Sequence, residues 1–135
     1  DHVMKLLVLA VKAPARSKVA VLGLTFKENC PDCRNSKVGD VIARLREYGI
    51  EPVVVDPWAS ARDAQLGYGV ELRGLDDARD ADCVVLAVAH DEFKALGSDG
   101  VAGMLAADGK GIVVDVKGAF GREEFAALGV ECWRL

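Results

Sequence analysis

The hydrophobic pattern of this chain consists of short, fully apolar runs that alternate with polar segments and with stretches of helical periodicity. Apolar runs of this length, bounded by glycine, proline or charged residues, are typical of strands covered on both faces of a parallel sheet. We predict six strands, the third of them weak, at residues 18–23, 52–56, 70–72, 83–88, 112–115 and 130–134.

Segments of helical periodicity separate these strands. Between the first two, Val38, Val41, Ile42 and Leu45 fall on one helical face, and Gly49 ends the helix. We predict helices or helical turns at residues 1–12, 37–48, 60–66, 76–79, 92–96, 101–107 and 122–128. Strands and helices that alternate at this spacing indicate βαβ units. The expected fold is α/β, a Rossmann-like three-layer αβα sandwich with a parallel sheet of five to six strands in the order 3-2-1-4-5-6.

Length and composition limit the classes of protein to consider. The 135 residues suffice for one domain with its own core, which we place at 13–135. Residues 1–12 form an amphipathic segment without an N-terminal cap, and we interpret them as the end of a helix from a missing upstream domain. A net charge of −4 argues against nucleic acid as a partner. No apolar run reaches the roughly 18 residues that a membrane span needs, and four cysteines without a dense framework are typical of a reducing, cytoplasmic setting.

The loop after the first predicted strand is locally cationic. Lys27, Arg34 and Lys37 outnumber the acids Glu28 and Asp32 there. The carboxyl end of a central strand is where open α/β sheets bind ligands, so this loop favours phosphate or another small anion. The N-capping residues that follow the loop point helix backbone N–H groups the same way. The loop has too few glycines for a Walker or GxGxxG motif.

In the predicted strand order, a crevice opens between the first and fourth strands. The loop at 24–36, which contains Thr25, and residues 89–93, which contain His90 and Asp91, would line it. His90 has two open interpretations, as a crevice residue or as the residue before a helix. Asp56, at the end of the second strand, is placed either to bind a ribose or to close the turn before a proline, and we favour the turn.

Cys30 and Cys33 form a CxxC sequence. Such a pair occurs in thioredoxin-like dithiols and as half of a zinc site. A second pair at ligand spacing is missing, because Cys83 and Cys132 stand alone in the sequence. We therefore predict that Cys30 and Cys33 are reduced and bind no metal, and that Cys33 packs in the core.

The segment GLTFKENCPDCRNSKV at 23–38 resembles the sequence that opens the C-terminal, UDP-sugar-binding domain of the UDP-glucose/GDP-mannose dehydrogenase family. The family pattern of Gly-x-x-Phe-Lys, a polar stretch, and Arg-Asn/Glu-Ser falls on Gly23, Phe26, Lys27, Arg34 and the two residues after it. Three later segments resemble the family in the same order, namely VVVDPWA at 53–59, ADCVVLAVAHDEF at 81–93 and IVVDVKG at 112–118. The variant with Glu-Asn-Cys-Pro-Asp is most similar to the branch that oxidises UDP-N-acetylhexosamines for bacterial surface polysaccharides.

The resemblance implies roles for individual residues. Phe26 and Lys27 would contact the UDP-sugar substrate, and Arg34 would reach the pyrophosphate of NAD. The family has a second cation, usually an Arg after Asp-Gly that follows the fifth strand. This sequence departs from that pattern with Asp-Val-Lys-Gly, so Lys117 is the candidate for substrate binding and Arg122 the fallback.

The resemblance also implies partners and limits. NAD would be held mainly by an N-terminal domain of the same protein, and the full-length protein would be a homo-oligomer. The family's catalytic cysteine lies in a glycine-rich motif that this sequence lacks, so we expect no catalytic residue and no turnover from this chain alone. Two alternatives stay open at this point, a stand-alone nucleotide- or phosphate-binding regulatory module and a CxxC redox protein.

Overall fold

The computed structural model describes residues 18–34, 36–107, 111–116 and 118–134. The helix predicted at 1–12 and the candidate Lys117 lie outside the described residues. None of the helices in the described part of the chain combines the length and the apolarity needed to cross a bilayer.

The centre of the fold is a five-stranded sheet in which every neighbouring pair of strands is parallel. Its strands are β1 (Val19–Leu22), β2 (Val53–Val55), β3 (Cys83–Leu86), β4 (Ile112–Asp115) and β5 (Glu131–Arg134). They lie in the order β2-β1-β3-β4-β5. This is the predicted order without its third strand. That strand is reduced to a single parallel bridge between Leu72 and Val54, which lies beside β2, where the strand was expected. The residues on either side of Leu72 are exposed and form no further bridge with β2.

The helices are α1 (Val38–Glu47), α2 (Ala61–Tyr68), α3 (Asp91–Lys94), α4 (Gly97–Ala102) and α5 (Arg122–Ala127), with a 3₁₀ turn at Leu75–Ala78. The helix predicted at 101–107 is wrong. The chain leaves α4 after Ala102, because Ala81 pairs with Leu105: Ala81 N–H donates to the Met104 carbonyl at 3.0 Å and Ala106 N–H to the Ala81 carbonyl at 2.9 Å.

Successive strand residues face opposite helix layers, as expected when both faces of a sheet are covered. Val19 and Val21 belong to the core under α1 and α2. Ala20 and Leu22 belong to the second core, which also holds Phe93 of α3 together with residues of α4 and α5. The structure is thus the predicted three-layer αβα sandwich.

Gly23 brings the ends of β1 and β3 close together. Its φ is +104°, and a Cβ there would lie 2.5 Å from the Val88 Cβ and 2.8 Å from the Val88 nitrogen. Only glycine combines that backbone conformation with so close an approach. The loops that leave β1 and β3 therefore start side by side at the carboxyl edge of the sheet.

Candidate functional site

The carboxyl edge of the sheet collects the polar segments that follow β1, β2 and β3. Among the described residues of these segments, four buried polar ones lie there, one or more from each segment: Thr25, Ser36, Asp56 and His90. Buried polar groups need hydrogen-bond partners, and their partners define how this edge is built.

Asp56 organises the edge from the end of β2. One carboxylate oxygen, Oδ2, accepts from Leu24 N–H at 2.6 Å, from Thr25 N–H at 3.0 Å and from His90 Nε2 at 3.0 Å. The other, Oδ1, accepts from Trp58 N–H at 2.7 Å and Ala59 N–H at 3.0 Å.

These bonds explain the protonation state and the role of the Asp56 carboxyl. Burial alone would raise its pKa, but the hydrogen bonds from Leu24 N–H, His90 and Thr25 N–H outweigh burial, so the pKa lies below its ordinary value. With its oxygens committed to the protein, Asp56 has the geometry of a turn residue. This agrees with the turn interpretation rather than with a ribose contact.

His90 connects the loop after β3 to the loop after β1. Its side chain is fully buried, with Nε2 3.0 Å from Asp56 Oδ2 and 3.1 Å from Thr25 Oγ1. Its other nitrogen, Nδ1, accepts from Asn29 N–H at 2.8 Å. His90 precedes α3 and also contacts the loop after β1, so its position agrees with both predicted interpretations. Both ring nitrogens are hydrogen-bonded within the protein, so neither is free for a ligand.

The loop after β1 is shaped by further bonds to its backbone. The Thr25 hydroxyl donates to the Lys27 carbonyl at 3.0 Å, and Phe26 N–H donates to the Asp32 carbonyl at 2.7 Å. Asn29 has a φ of +55°, and its side-chain Oδ1 accepts from Asp91 N–H at 3.0 Å. A hydrogen bond with the Asn29 side chain also lowers the pKa of the exposed Asp91 carboxyl.

Phe26 and Lys27 extend from this fixed loop into solvent. Phe26 is 57% exposed, more than any other aromatic residue in the described part of the chain. Lys27 is also exposed, and within the described residues its ammonium has no hydrogen-bond or ion-pair partner. An apolar ring and an uncompensated cation therefore stand next to each other on a rigid backbone.

Arg34 lies at the far end of the same loop and has a local partner. Its Nε and Nη2 donate to Asp32 Oδ1 and Oδ2 at 3.1 and 3.3 Å. The bond from Arg34 lowers the pKa of the Asp32 carboxyl, and the same bond raises the pKa of the guanidinium. The pair is exposed, and such pairs are weak in water, so Arg34 remains available to an anion.

Both cysteines of the CxxC sequence carry free thiols in this structure. Cys33 is buried in the hydrophobic core, as predicted, and burial raises the pKa of its thiol, which disfavours the reactive thiolate. No group of three or more potential metal ligands occurs among the described residues. That the purified protein is reduced and metal-free remains a prediction.

The loop after β4 repeats the arrangement at Asp56. Asp115 is fully buried at the end of β4, and its two oxygens accept from Ala119 N–H and Phe120 N–H, both at 2.9 Å. The candidate Lys117 lies in this loop but outside the described residues. The fallback, Arg122, is exposed at the start of α5.

Two contributors to the site were missed by the sequence reasoning. Asn29 bonds the loop to His90 and Asp91. The sequence signal that could have indicated it is an asparagine in a short polar loop, since asparagine tolerates positive φ. Asp32 was counted only as an acid of the loop, and its ion pair with Arg34, two residues later, was not predicted.

Comparison with known proteins identifies relatives over most of the chain. The profile of the UDP-glucose/GDP-mannose dehydrogenase family, UDP binding domain, matches residues 20–122. The UDP-N-acetyl-D-glucosamine 6-dehydrogenase of Pseudomonas aeruginosa is 48% identical over 85 residues, which cover 63% of this chain and 20% of that protein. Protein CapL of Staphylococcus aureus is 39% identical over 117 residues, 87% of this chain and 27% of that protein.

A solved structure shows the same fold. The NDP-N-acetyl-D-galactosaminuronic acid dehydrogenase from Methanosarcina mazei Go1 aligns with 98% of this chain at a TM-score of 0.83 and 24% identity, over 28% of its own length. The chain thus spans between a fifth and somewhat more than a quarter of the length of each of these relatives.

Proposed function

This chain belongs to the UDP-glucose/GDP-mannose dehydrogenase family, and we propose that it binds the UDP part of a nucleotide sugar for a longer, NAD-dependent 6-dehydrogenase. The parent enzyme would oxidise the C6 alcohol of the sugar to a carboxylate in two hydride transfers. The relatives that act on UDP-N-acetylhexosamines support a substrate of that class, and a role in making surface-polysaccharide precursors remains a prediction from the resemblance.

One observation carries the proposal, namely the exposed pair of Phe26 and Lys27 on a backbone held at the carboxyl edge of the sheet. A lysine ammonium is a compact charge suited to a diphosphate, and a rigid loop loses little entropy when it binds. The opposite edge of the sheet is less suited to an anion. The cations that line the cleft there are Lys18, Arg46 and Arg73, and they lie among the carboxylates of Glu51, Glu71 and Asp77. Lys18 is engaged with the Arg79 carbonyl, Arg46 with Glu51 and two backbone carbonyls, and Arg73 with Glu71.

Among the described residues, Arg34 is the one that we propose contacts NAD. Asp56 is at the position where a Rossmann domain would hold a ribose, but its oxygens are hydrogen-bonded to the loops. Arg34 is exposed, and its ion pair with the surface carboxylate of Asp32 is weak. On this proposal Arg34 contacts NAD bound mainly by an N-terminal domain, and NAD supplies the hydride acceptor. Homo-oligomerisation remains a prediction from the resemblance, and a cytoplasmic setting remains a prediction from the cysteine content.

Titration of the chain with UDP tests the proposal. We expect weak binding, because part of the site would be supplied by other segments of the enzyme, with NMR shift changes concentrated in 24–36 and 89–93. Lys27→Ala should weaken binding about tenfold, as expected for loss of one charge-assisted contact, and Arg73→Ala, at an exposed position on the opposite edge of the sheet, provides a control for loss of one positive charge. Shift changes confined to the amino-terminal edge of the sheet would contradict the placement.

Arg34→Ala separates this proposal from a stand-alone phosphate-binding module. If Arg34 serves NAD on another domain, its loss leaves UDP binding by this chain almost unchanged. If Arg34 and Lys27 form one phosphate site, both substitutions weaken UDP binding to a similar degree.

A further inference from the structure

The loop that carries Phe26 and Lys27 is attached to the rest of the fold through one buried imidazole. His90 binds Asp56 and Thr25 through Nε2 and the Asn29 backbone through Nδ1, so it joins both ends of the segment 25–29 to the carboxylate at the end of β2. We call Thr25, Asn29, Asp56 and His90 the His90 network. The two exposed residues of the proposed site lie between its contact points.

The partners of His90 fix its tautomer. Because Nδ1 accepts from Asn29 N–H, it carries a lone pair and no proton, and the ring proton is on Nε2. That proton lies between Asp56 Oδ2 and Thr25 Oγ1, and the Thr25 hydroxyl in turn donates to the Lys27 carbonyl. Each donor in the chain from Asn29 to Lys27 thus has an acceptor.

Aromatic neighbours fix the orientation of the same ring. Trp58 stacks on His90 with a centroid distance of 6.2 Å and an interplanar angle of 27°, and Phe93 contacts it with a centroid distance of 5.6 Å. The Trp58 indole is held by a 2.9 Å hydrogen bond from its Nε1 to Glu92. A ring held between neighbours in this way presents its two nitrogens in fixed directions.

We propose that His90 is a positioning residue, which holds the backbone of 25–29 so that Phe26 and Lys27 face the nucleotide. The proposal rests on the proposed function for the identity of the ligand, but not for the ordering of the loop. His90 itself does not touch substrate, because its side chain is fully buried and both nitrogens are engaged within the protein.

Two amide substitutions each keep one hydrogen bond of His90 and remove another. His90→Gln keeps a donor near the position of Nε2 for Asp56 but offers no acceptor to Asn29 N–H. His90→Asn keeps an acceptor near the position of Nδ1 for Asn29 N–H but loses the donor to Asp56. If the bond to Asn29 positions the loop, the Gln variant should be impaired there and the Asn variant should largely rescue it.

Amide hydrogen exchange of the 135-residue chain gives the first measurement. We expect the Asn29 amide to exchange about tenfold faster in His90→Gln than in the unsubstituted protein, and within about threefold of it in His90→Asn. UDP affinity should follow the same order, about tenfold weaker in the Gln variant and nearly unchanged in the Asn variant.

Different results would overturn the proposal. Equal loss of protection and of UDP affinity in both variants would mean that His90 acts only through general stability, and an Asn29 amide that stays protected in His90→Gln would remove His90 from loop positioning. If the unsubstituted chain does not bind UDP, the proposed function fails, and the exchange pattern still decides the role of His90.

A second measurement uses the unsubstituted protein and therefore does not depend on whether the variants fold. The nitrogen chemical shifts of the imidazole in the unsubstituted protein should show the proton on Nε2 and an unprotonated Nδ1 that accepts a hydrogen bond. A proton found on Nδ1 would rule out the bond from Asn29 and overturn the proposal.

Discussion

Asp56→Asn is the most informative single substitution for the architecture of this edge. The amide has nearly the shape of the carboxylate but replaces one acceptor oxygen with a donor NH₂ group. In the protein, Oδ2 accepts from three donors and Oδ1 from two, and all five belong to buried or half-buried parts of the edge.

The magnitude follows from counting donors that lose their acceptor. If the NH₂ group takes the place of Oδ1, two backbone N–H groups are left facing it, and if it takes the place of Oδ2, three donors are left. A buried donor without an acceptor costs about 1–3 kcal/mol. Whichever way the amide turns, the free energy of unfolding should fall by at least about 2 kcal/mol.

The stability that Asp56→Asn loses should depend on pH. Because the pKa of the Asp56 carboxyl is depressed in the folded protein, its contribution is fully present above the ordinary aspartate pKa of about 3.9 and is lost as pH falls through the lower, folded value. The unsubstituted protein should therefore lose stability on acidification below about pH 4 more steeply than Asp56→Asn does, and the difference between them should shrink.

Urea unfolding at pH 7 and at pH 3 measures both effects, provided that the m-values agree. Asp77→Asn, at an exposed position in the 3₁₀ turn, serves as the control and should change stability by less than about 0.5 kcal/mol. A loss below about 1 kcal/mol for Asp56→Asn at pH 7, or a difference as large at pH 3 as at pH 7, would refute the reasoning.

Three further predictions concern other parts of the chain. Gly23→Ala should lower the free energy of unfolding by more than the roughly 1–2 kcal/mol that a left-handed backbone costs, because its Cβ also meets the chain after β3. Urea unfolding measures this loss, and a near-neutral result would contradict the close approach. In the complete enzyme, Arg34→Ala should weaken NAD about tenfold to a hundredfold with the sugar nucleotide nearly unaffected, and Lys27→Ala should show the reverse in kinetic titrations of both ligands. Thiol titration of the unfolded, unreduced chain should count four free thiols, Cys30 and Cys33 included, and metal analysis should find no stoichiometric zinc; three or fewer thiols or bound zinc would show that prediction wrong.

The sheet could be predicted from the sequence because local pattern and topology rules act together. Fully apolar runs at 19–22, 83–86 and 112–114 have few alternatives to buried parallel strands, and the predicted order follows from the alternation with helices. Segments with weaker patterns were less predictable. At 101–107 the apolar spacing suits a helix, but pairing of Leu105 with Ala81, which lies more than twenty residues earlier, takes the chain out of it.

The site could be located but not assembled from the sequence. The cationic loop and His90 were assigned to one crevice because the carboxyl ends of β1 and β3 must meet there. The bond between Asn29 and His90 could not be foreseen, because it joins residues 61 positions apart through a backbone N–H that any residue type except proline would offer. Such contacts depend on loop conformation, which local sequence specifies poorly.

Four of the five donors to Asp56 and both donors to Asp115 are backbone N–H groups. Since the backbone N–H is common to almost every residue type, the path of each loop is largely independent of the side chains displayed along it. Phe26, Lys27 and Glu28 are therefore suitable positions for a combinatorial library, in which ligand preference is reprogrammed while the scaffold keeps its shape.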